Sequence, residues 1–130
     1  MKKILIVGPC YADAVALKKF LESKFSVTTT DMTKIDEATA FLKQRSCDLI
    51  LVSRVCKGDE RSGLELIDYV KKYCPDKPII LMTRFPEHQG EAKRHGAKAA
   101  FDMDLLIGYI RPSMKEDYKK ALNTLKEILD

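Results

Sequence analysis

Two rhythms of apolar and polar residues alternate along the chain. Lys3-Ile4-Leu5-Ile6-Val7 is short, nearly all apolar and closed by Gly8-Pro9, the composition of a strand buried on both faces of a parallel sheet. From Tyr11 to Lys24 the residues Ala14, Val15, Leu17, Phe20 and Leu21 recur at helical spacing with Lys18, Lys19 and Glu22 between them, which predicts an amphipathic helix. Phe25 to Thr30 alternates and is rich in Val and Thr, so it reads as a second strand at a sheet edge. Thr33 is the candidate cap of a helix that runs to Arg45 and buries Ile35, Ala38, Phe41 and Leu42.

The same alternation continues. Asp48 to Ser53 repeats the buried-strand composition, and a charged loop from Arg54 to Ser62, broken at Gly58, leads to a helix on Leu64, Leu66, Ile67, Val70 and Tyr73. Pro78 to Thr83 is a fourth strand, with its proline at the start, where the missing N–H is tolerated. Pro86 to His95 is a polar helix that Gly96 ends. The last helix begins after Pro112 and carries Tyr118, Leu122, Leu125, Ile128 and Leu129 on one face. Strands alternating with helices imply an α/β, three-layer α/β/α sandwich around a five-stranded parallel sheet with right-handed crossovers. In such sheets the working site lies beyond the carboxyl ends of the strands. The stretches to inspect are therefore Gly8 to Tyr11, Ser53 to Cys56, Thr83 to Phe85 and the end of the last strand.

Composition narrows this picture. A chain of 130 residues forms one domain, residues 1–130, with a core that needs no staples and no room for an output domain. Its apolar runs are far shorter than a membrane span, and Met1-Lys2-Lys3 leads into a strand-length run instead of an export signal, so a cytoplasmic protein without a membrane partner is expected. The formal charge of +4 is too small to argue for nucleic acid. Cys10, Cys47, Cys56 and Cys74 include no CxxC pair and read as reduced thiols; no structural zinc site and no cofactor are expected.

With these elements in order, the chain resembles the CheY-like receiver domain of bacterial two-component response regulators, a flavodoxin-like fold with strand order 2-1-3-4-5. The strongest stretch runs from Cys47 to Met82. In it Cys47-Asp48-Leu49-Ile50-Leu51-Val52-Ser53 is similar to the third strand, Gly63-Leu64-Glu65-Leu66 to the start of the third helix, and Pro75-Asp76-Lys77-Pro78 to the turn into the fourth strand. The resemblance implies phosphoryl transfer from a histidine kinase to an aspartate after the third strand. An acidic pair after the first strand helps hold Mg2+, a Thr or Ser follows the fourth strand, and a Lys before proline follows the fifth.

The matching positions depart from that pattern. Gly8-Pro9 stands where the acidic pair belongs, Ser53 stands at the acceptor, and Thr83 keeps the hydroxyl. If the last strand is Leu105 to Ile110, Arg111-Pro112 preserves a cation before proline; if it follows Gly96-Ala97 directly, Met103 takes that place. Arg111 is preferred here, because Arg111-Pro112-Ser113 and the following helix match the family's ending. A hard cation needs oxygen ligands, and an acyl phosphate needs a carboxylate to form. The chain thus reads as a noncatalytic pseudo-receiver that works by protein–protein contact with a signalling protein, such as a histidine kinase or output protein.

Two alternatives stay open. One is a phosphorelay receiver with an atypical acceptor, Ser53, Asp13 or Asp59. The other is a redox or metal-responsive switch: Cys10 and Cys56 follow neighbouring strands on one rim, where they form a candidate thiol pair, or with His88 a soft-metal site. Cys47 and Cys74 read as packing residues at the opposite rim. The resemblance also implies a partner or homodimer face on the fourth helix, fifth strand and last helix, where Tyr109, Lys115 and Lys119 are the candidate contacts.

Overall fold

In the computed structural model, which describes all residues from Met1 to Asp130, the strands are β1 (Lys2–Val7), β2 (Val27–Met32), β3 (Leu49–Ser53), β4 (Ile79–Met82) and β5 (Ala99–Phe101). They form one parallel sheet in the order β2-β1-β3-β4-β5. The helices are α1 (Tyr11–Lys24), α2 (Ile35–Gln44), α3 (Gly63–Tyr73), α4 (Pro86–His95), a single turn α5 (Asp104–Ile107) and α6 (Lys115–Leu129), with a 3-10 turn at Pro112–Met114 before α6. No helix is long and apolar enough to cross a membrane.

The continuous apolar runs of β1, β3 and β4 follow from burial on both faces. Successive side chains of a strand point to opposite sides. Ile4, Ile6, Leu49, Leu51, Ile80 and Met82 therefore enter the core under α1 and α6. Leu5, Val7, Ile50, Val52, Ile79 and Leu81 enter the core under α2, α3 and α4. In-register pairs such as Ile4 with Leu49 and Ile50 with Ile79 keep both sets aligned across the sheet. A one-residue slip would exchange the two cores.

Three elements differ from the sequence pattern. β2 starts at Val27, because Phe25 is buried as the C-cap of α1, where its N–H donates to the Leu21 carbonyl. Thr33 does not cap α2: Lys34 holds the N-cap position without a side-chain bond. The largest correction concerns the last strand, which is Ala99–Phe101 and not Leu105 to Ile110. Ala99, Ala100 and Phe101 pair with Ile80, Leu81 and Met82, and Lys98 N–H donates to the Ile79 carbonyl at 2.9 Å. Leu105 and Leu106 instead lie on α5, buried with Leu17 and Leu21 of α1 and Leu125 of α6. Burying two leucines there is worth about 1.5–3 kcal/mol each, more than an exposed strand beyond the sheet would gain.

Candidate functional site

At the carboxyl rim the turn after β1 is closed and tight. Gly8 has φ of +105°, a conformation side chains rarely adopt. Its N–H donates to the Met32 carbonyl at 2.8 Å, and its carbonyl accepts from Lys57 N–H at 2.9 Å. A Cβ placed on Gly8 would stand 2.9 Å from Cys56 Sγ and 3.0 Å from Ser53 Cβ. Gly8, Pro9 and Cys56 are all buried. The loop between β3 and α3 thus folds back over the end of β1, and its cysteine fills the space beside Gly8.

That loop is held by a lattice of bonds. Cys56 N–H donates to the Arg61 carbonyl at 2.9 Å, Glu60 N–H to the Cys56 carbonyl at 2.7 Å, and Gly63 N–H to the Arg54 carbonyl at 2.7 Å. Gly58 N–H reaches the Thr33 carbonyl at 2.9 Å. Asp59 supplies the cap that α2 lacks: its carboxylate accepts from Ile35 N–H at 2.9 Å and from Arg61 N–H at 3.1 Å. Desolvation works upward on this carboxyl, but the two N–H groups and the Arg61 charge outweigh it and hold the pKa below the ordinary value. Arg61 then bridges Asp36 of α2 at 2.7 Å and Glu65 of α3 at 2.9 Å. Both oxygens of Asp59 accept from backbone N–H groups, so the carboxylate fastens the loop to the start of α2.

The other positions complete the rim. Ser53 is half-buried at the end of β3, and a Cβ on Gly63 would collide with its carbonyl oxygen. Thr83 is buried; its hydroxyl oxygen accepts from Phe85 N–H at 3.3 Å and its carbonyl from the Gln89 side chain at 2.8 Å. Both bonds tie β4 to the start of α4. Met103, not Arg111, follows β5, and it packs half-buried on the core under α1 and α6. Arg111 is exposed beyond α5, at the start of the 3-10 turn, because the true strand ends ten positions earlier in the chain order, at Phe101. No lysine or arginine stands between Phe101 and Arg111.

All four cysteines are free. Cys56 is fully buried, and burial, then the charge of Asp59, pushes its thiol up to about 11. Cys10 sits half-buried at the N-cap of α1 without a side-chain cap bond. His88 turns an edge to Phe85 at 5.5 Å, and no group of three or more His, Cys, Asp or Glu side chains is gathered as a metal site, so Cys10, Cys56 and His88 do not form one. Asp13 lies in the first turn of α1. A groove of about 510 Å3 runs between α4, β5 and α6, lined by residues such as Gln89, Phe101 and Lys120, whereas Tyr109, Lys115 and Lys119 lie outside its lining.

No protein-family model matches the sequence, and no curated protein matches it. Solved structures do. The receiver domain of NtrC4, solved as a beryllofluoride-activated dimer, superposes with TM-score 0.77 at 19% identity over 99% of this chain and 97% of that one. This chain has the receiver fold. The Mn2+-bound response regulator Rcp1 gives TM-score 0.72 at 15% identity over 100% of this chain and 96% of that one. NtrX from Brucella abortus gives 0.70 at 22% identity over 98% of this chain, which spans 28% of the NtrX chain. Against the separate NtrX receiver domain the TM-score is 0.72 at 21% identity, over 95% of this chain and 98% of that one.

Sequence reasoning located the rim and placed Gly8, Pro9, Ser53 and Thr83 on it. It missed the roles of Asp59, Arg61 and Cys56. Asp59 offered a signal, since an acid next to Gly58 in a loop is a frequent capping or turn residue. Cys56 offered none, because the sequence does not state which strand end a loop covers.

Proposed function

We propose that the chain is a receiver-fold module of bacterial two-component signalling, cytoplasmic and noncatalytic, which accepts no phosphoryl group and acts by contact with another protein. The observation that supports this best is the packing at Gly8. A side chain there meets the buried Cys56 Sγ at 2.9 Å, so the room that carboxylates would need beside β1 is taken by an uncharged thiol. A divalent cation finds no hard ligand at Gly8 or Pro9, Ser53 offers a hydroxyl with no base to activate it, and Met103 offers no charge. On this reading the chain does not respond as the NtrC4 receiver does to beryllofluoride, nor bind a divalent ion as Rcp1 does.

Incubation with acetyl phosphate and Mg2+ is expected to leave the intact mass unchanged. A phosphoryl adduct, or an unfolding midpoint raised by Mg2+ with beryllofluoride, would overturn the proposal. A second copy is a candidate occupant of the groove between α4, β5 and α6, since the NtrC4 receiver was solved as a dimer. Sedimentation at rising concentration tests it, and a monomer throughout ends it.

A further inference from the structure

Three of the large apolar side chains left in solvent lie just beyond the carboxyl ends of adjacent strands. Tyr11 is 81% exposed, Phe85 43% and Val55 38%, and they follow β1, β4 and β3 respectively. Those three strands are neighbours in the sheet. Strands lie about 4.8 Å apart, so the loops that carry the three residues open side by side over roughly 10 Å of the carboxyl rim. Exposed apolar residues on a monomer are ordinarily scattered singly.

Charge around them is lopsided. Arg54, Lys57 and Arg84 are exposed on the same loops, and none forms an ion pair. Arg84 lies 5.0 Å above the Phe85 ring, which presents a cation and an aromatic face together. Most acids nearby already have answers within the chain. Asp59 binds two backbone N–H groups, while Asp13 and Glu87 sit in the first turns of α1 and α4, where the helix dipole favours them. Glu60 is exposed without a bonded partner, and Asp102, whose carboxylate accepts from Asp104 N–H at 3.0 Å, lines the same groove as Arg84. The three cations lie on the side of the sheet onto which α1, α3 and α4 open their positive ends, so they gain nothing from the helices.

We propose that this rim docks an acidic segment of a protein partner, which lays an apolar side chain on Tyr11 and Phe85 and brings carboxylates to Arg54, Lys57 and Arg84. The proposal rests on the reading of the rim as a contact surface instead of a phosphorylation centre. Three cations with Glu60 among them are too few to track a nucleic-acid backbone. Aromatic and arginine side chains are the types that concentrate binding energy at protein interfaces.

A random-peptide display library selected on the full chain provides the test. The expected winners carry Asp and Glu around an apolar residue. As synthetic peptides they bind more weakly in added salt, and roughly tenfold more weakly to Arg84→Glu or Phe85→Ala, while Tyr73→Ser at the far end of α3 binds like wild type. The substituted side chains are exposed, and unfolding midpoints near wild type establish that the variants fold. Winners that are basic or uncharged, no enrichment, indifference to the rim substitutions, or tighter binding of an oligothymidine each overturn the proposal. A phosphoryl adduct in the acetyl phosphate experiment overturns the pseudo-receiver reading instead, and leaves the selection result to be judged separately.

Discussion

Placing a methyl group on Gly8 tests the claim that this rim is closed by packing and not merely stripped of acids. Gly8→Ala forces a side chain into a backbone with φ of +105° and sets its Cβ 2.9 Å from Cys56 Sγ, 3.0 Å from Ser53 Cβ and 3.1 Å from Cys56 Cα. The left-handed backbone costs about 1–2 kcal/mol for a non-glycine residue. Overpacking a full site costs about 1–3 kcal/mol more. The sum, roughly 2–5 kcal/mol, is a large part of the total stability of about 5–15 kcal/mol expected for a domain. With a urea slope of about 1–3 kcal/mol per molar, the unfolding midpoint falls by at least roughly 0.7 M.

Cys56→Ala in the same background separates the two terms. It removes Sγ but leaves Ser53 Cβ, the Cys56 backbone and the positive φ in place. About 1 kcal/mol of the Gly8→Ala penalty should therefore return, and the two substitutions should couple by that amount in a double-mutant cycle. Urea melts followed by circular dichroism read all four proteins. A Gly8→Ala midpoint within experimental scatter of wild type would refute the packing argument. Simple additivity of the pair would show that Cys56 is not what fills the space.

Other outcomes follow from the same geometry. Asp59→Ala should cost about 1–2 kcal/mol as a lost cap of α2. Because the folded carboxyl titrates below its ordinary value, the stabilisation is present above the unfolded pKa of 3.8 and lost as pH falls through the folded pKa, so wild type and variant should converge in acid urea melts. A gap that does not narrow below that pH would contradict this. Ser53→Asp alone should gain no adduct from acetyl phosphate by intact mass, since Gly8 and Cys56 still exclude the cation's ligands. In thiol titration at mildly alkaline pH, half-buried Cys10 should react well before buried Cys56, whose thiol is pushed up to about 11; equal rates would show that the loop opens freely.

The sheet was legible because its central strands carry their own evidence. β1, β3 and β4 are buried on both faces, so nearly every residue from Ile4 to Val7, Leu49 to Val52 and Ile79 to Met82 had to be apolar. β5 is an edge strand of Ala99, Ala100 and Phe101, whose two alanines announce nothing, while Leu105 and Leu106 a few positions later imitate a strand from within a helical turn. Arg111-Pro112 reinforced the error by ending the wrong element in a familiar way. The cap at α2 was hidden for a different reason: Ile35 and Asp59 are 24 positions apart, and only the return of the β3–α3 loop over β1 brings them within 2.9 Å.

The β3–α3 loop fastens several elements at once. Lys57 bonds to Gly8, Gly58 to Thr33, and Asp59 to Ile35, so consecutive loop residues fasten the ends of β1, β2 and the start of α2 in turn. A phosphorylation centre works by having two arrangements whose balance the added group can shift. Here Thr83 is engaged with Phe85 and Gln89, and the loop beside it is bonded along its length; on the proposed reading the rim is a preformed surface for a partner. Preorganisation of that kind lowers the ordering cost of association. Under the proposed reading it favours a surface read by contact, with the exposed Tyr11, Val55 and Phe85 carried just beyond the ends of β1, β3 and β4.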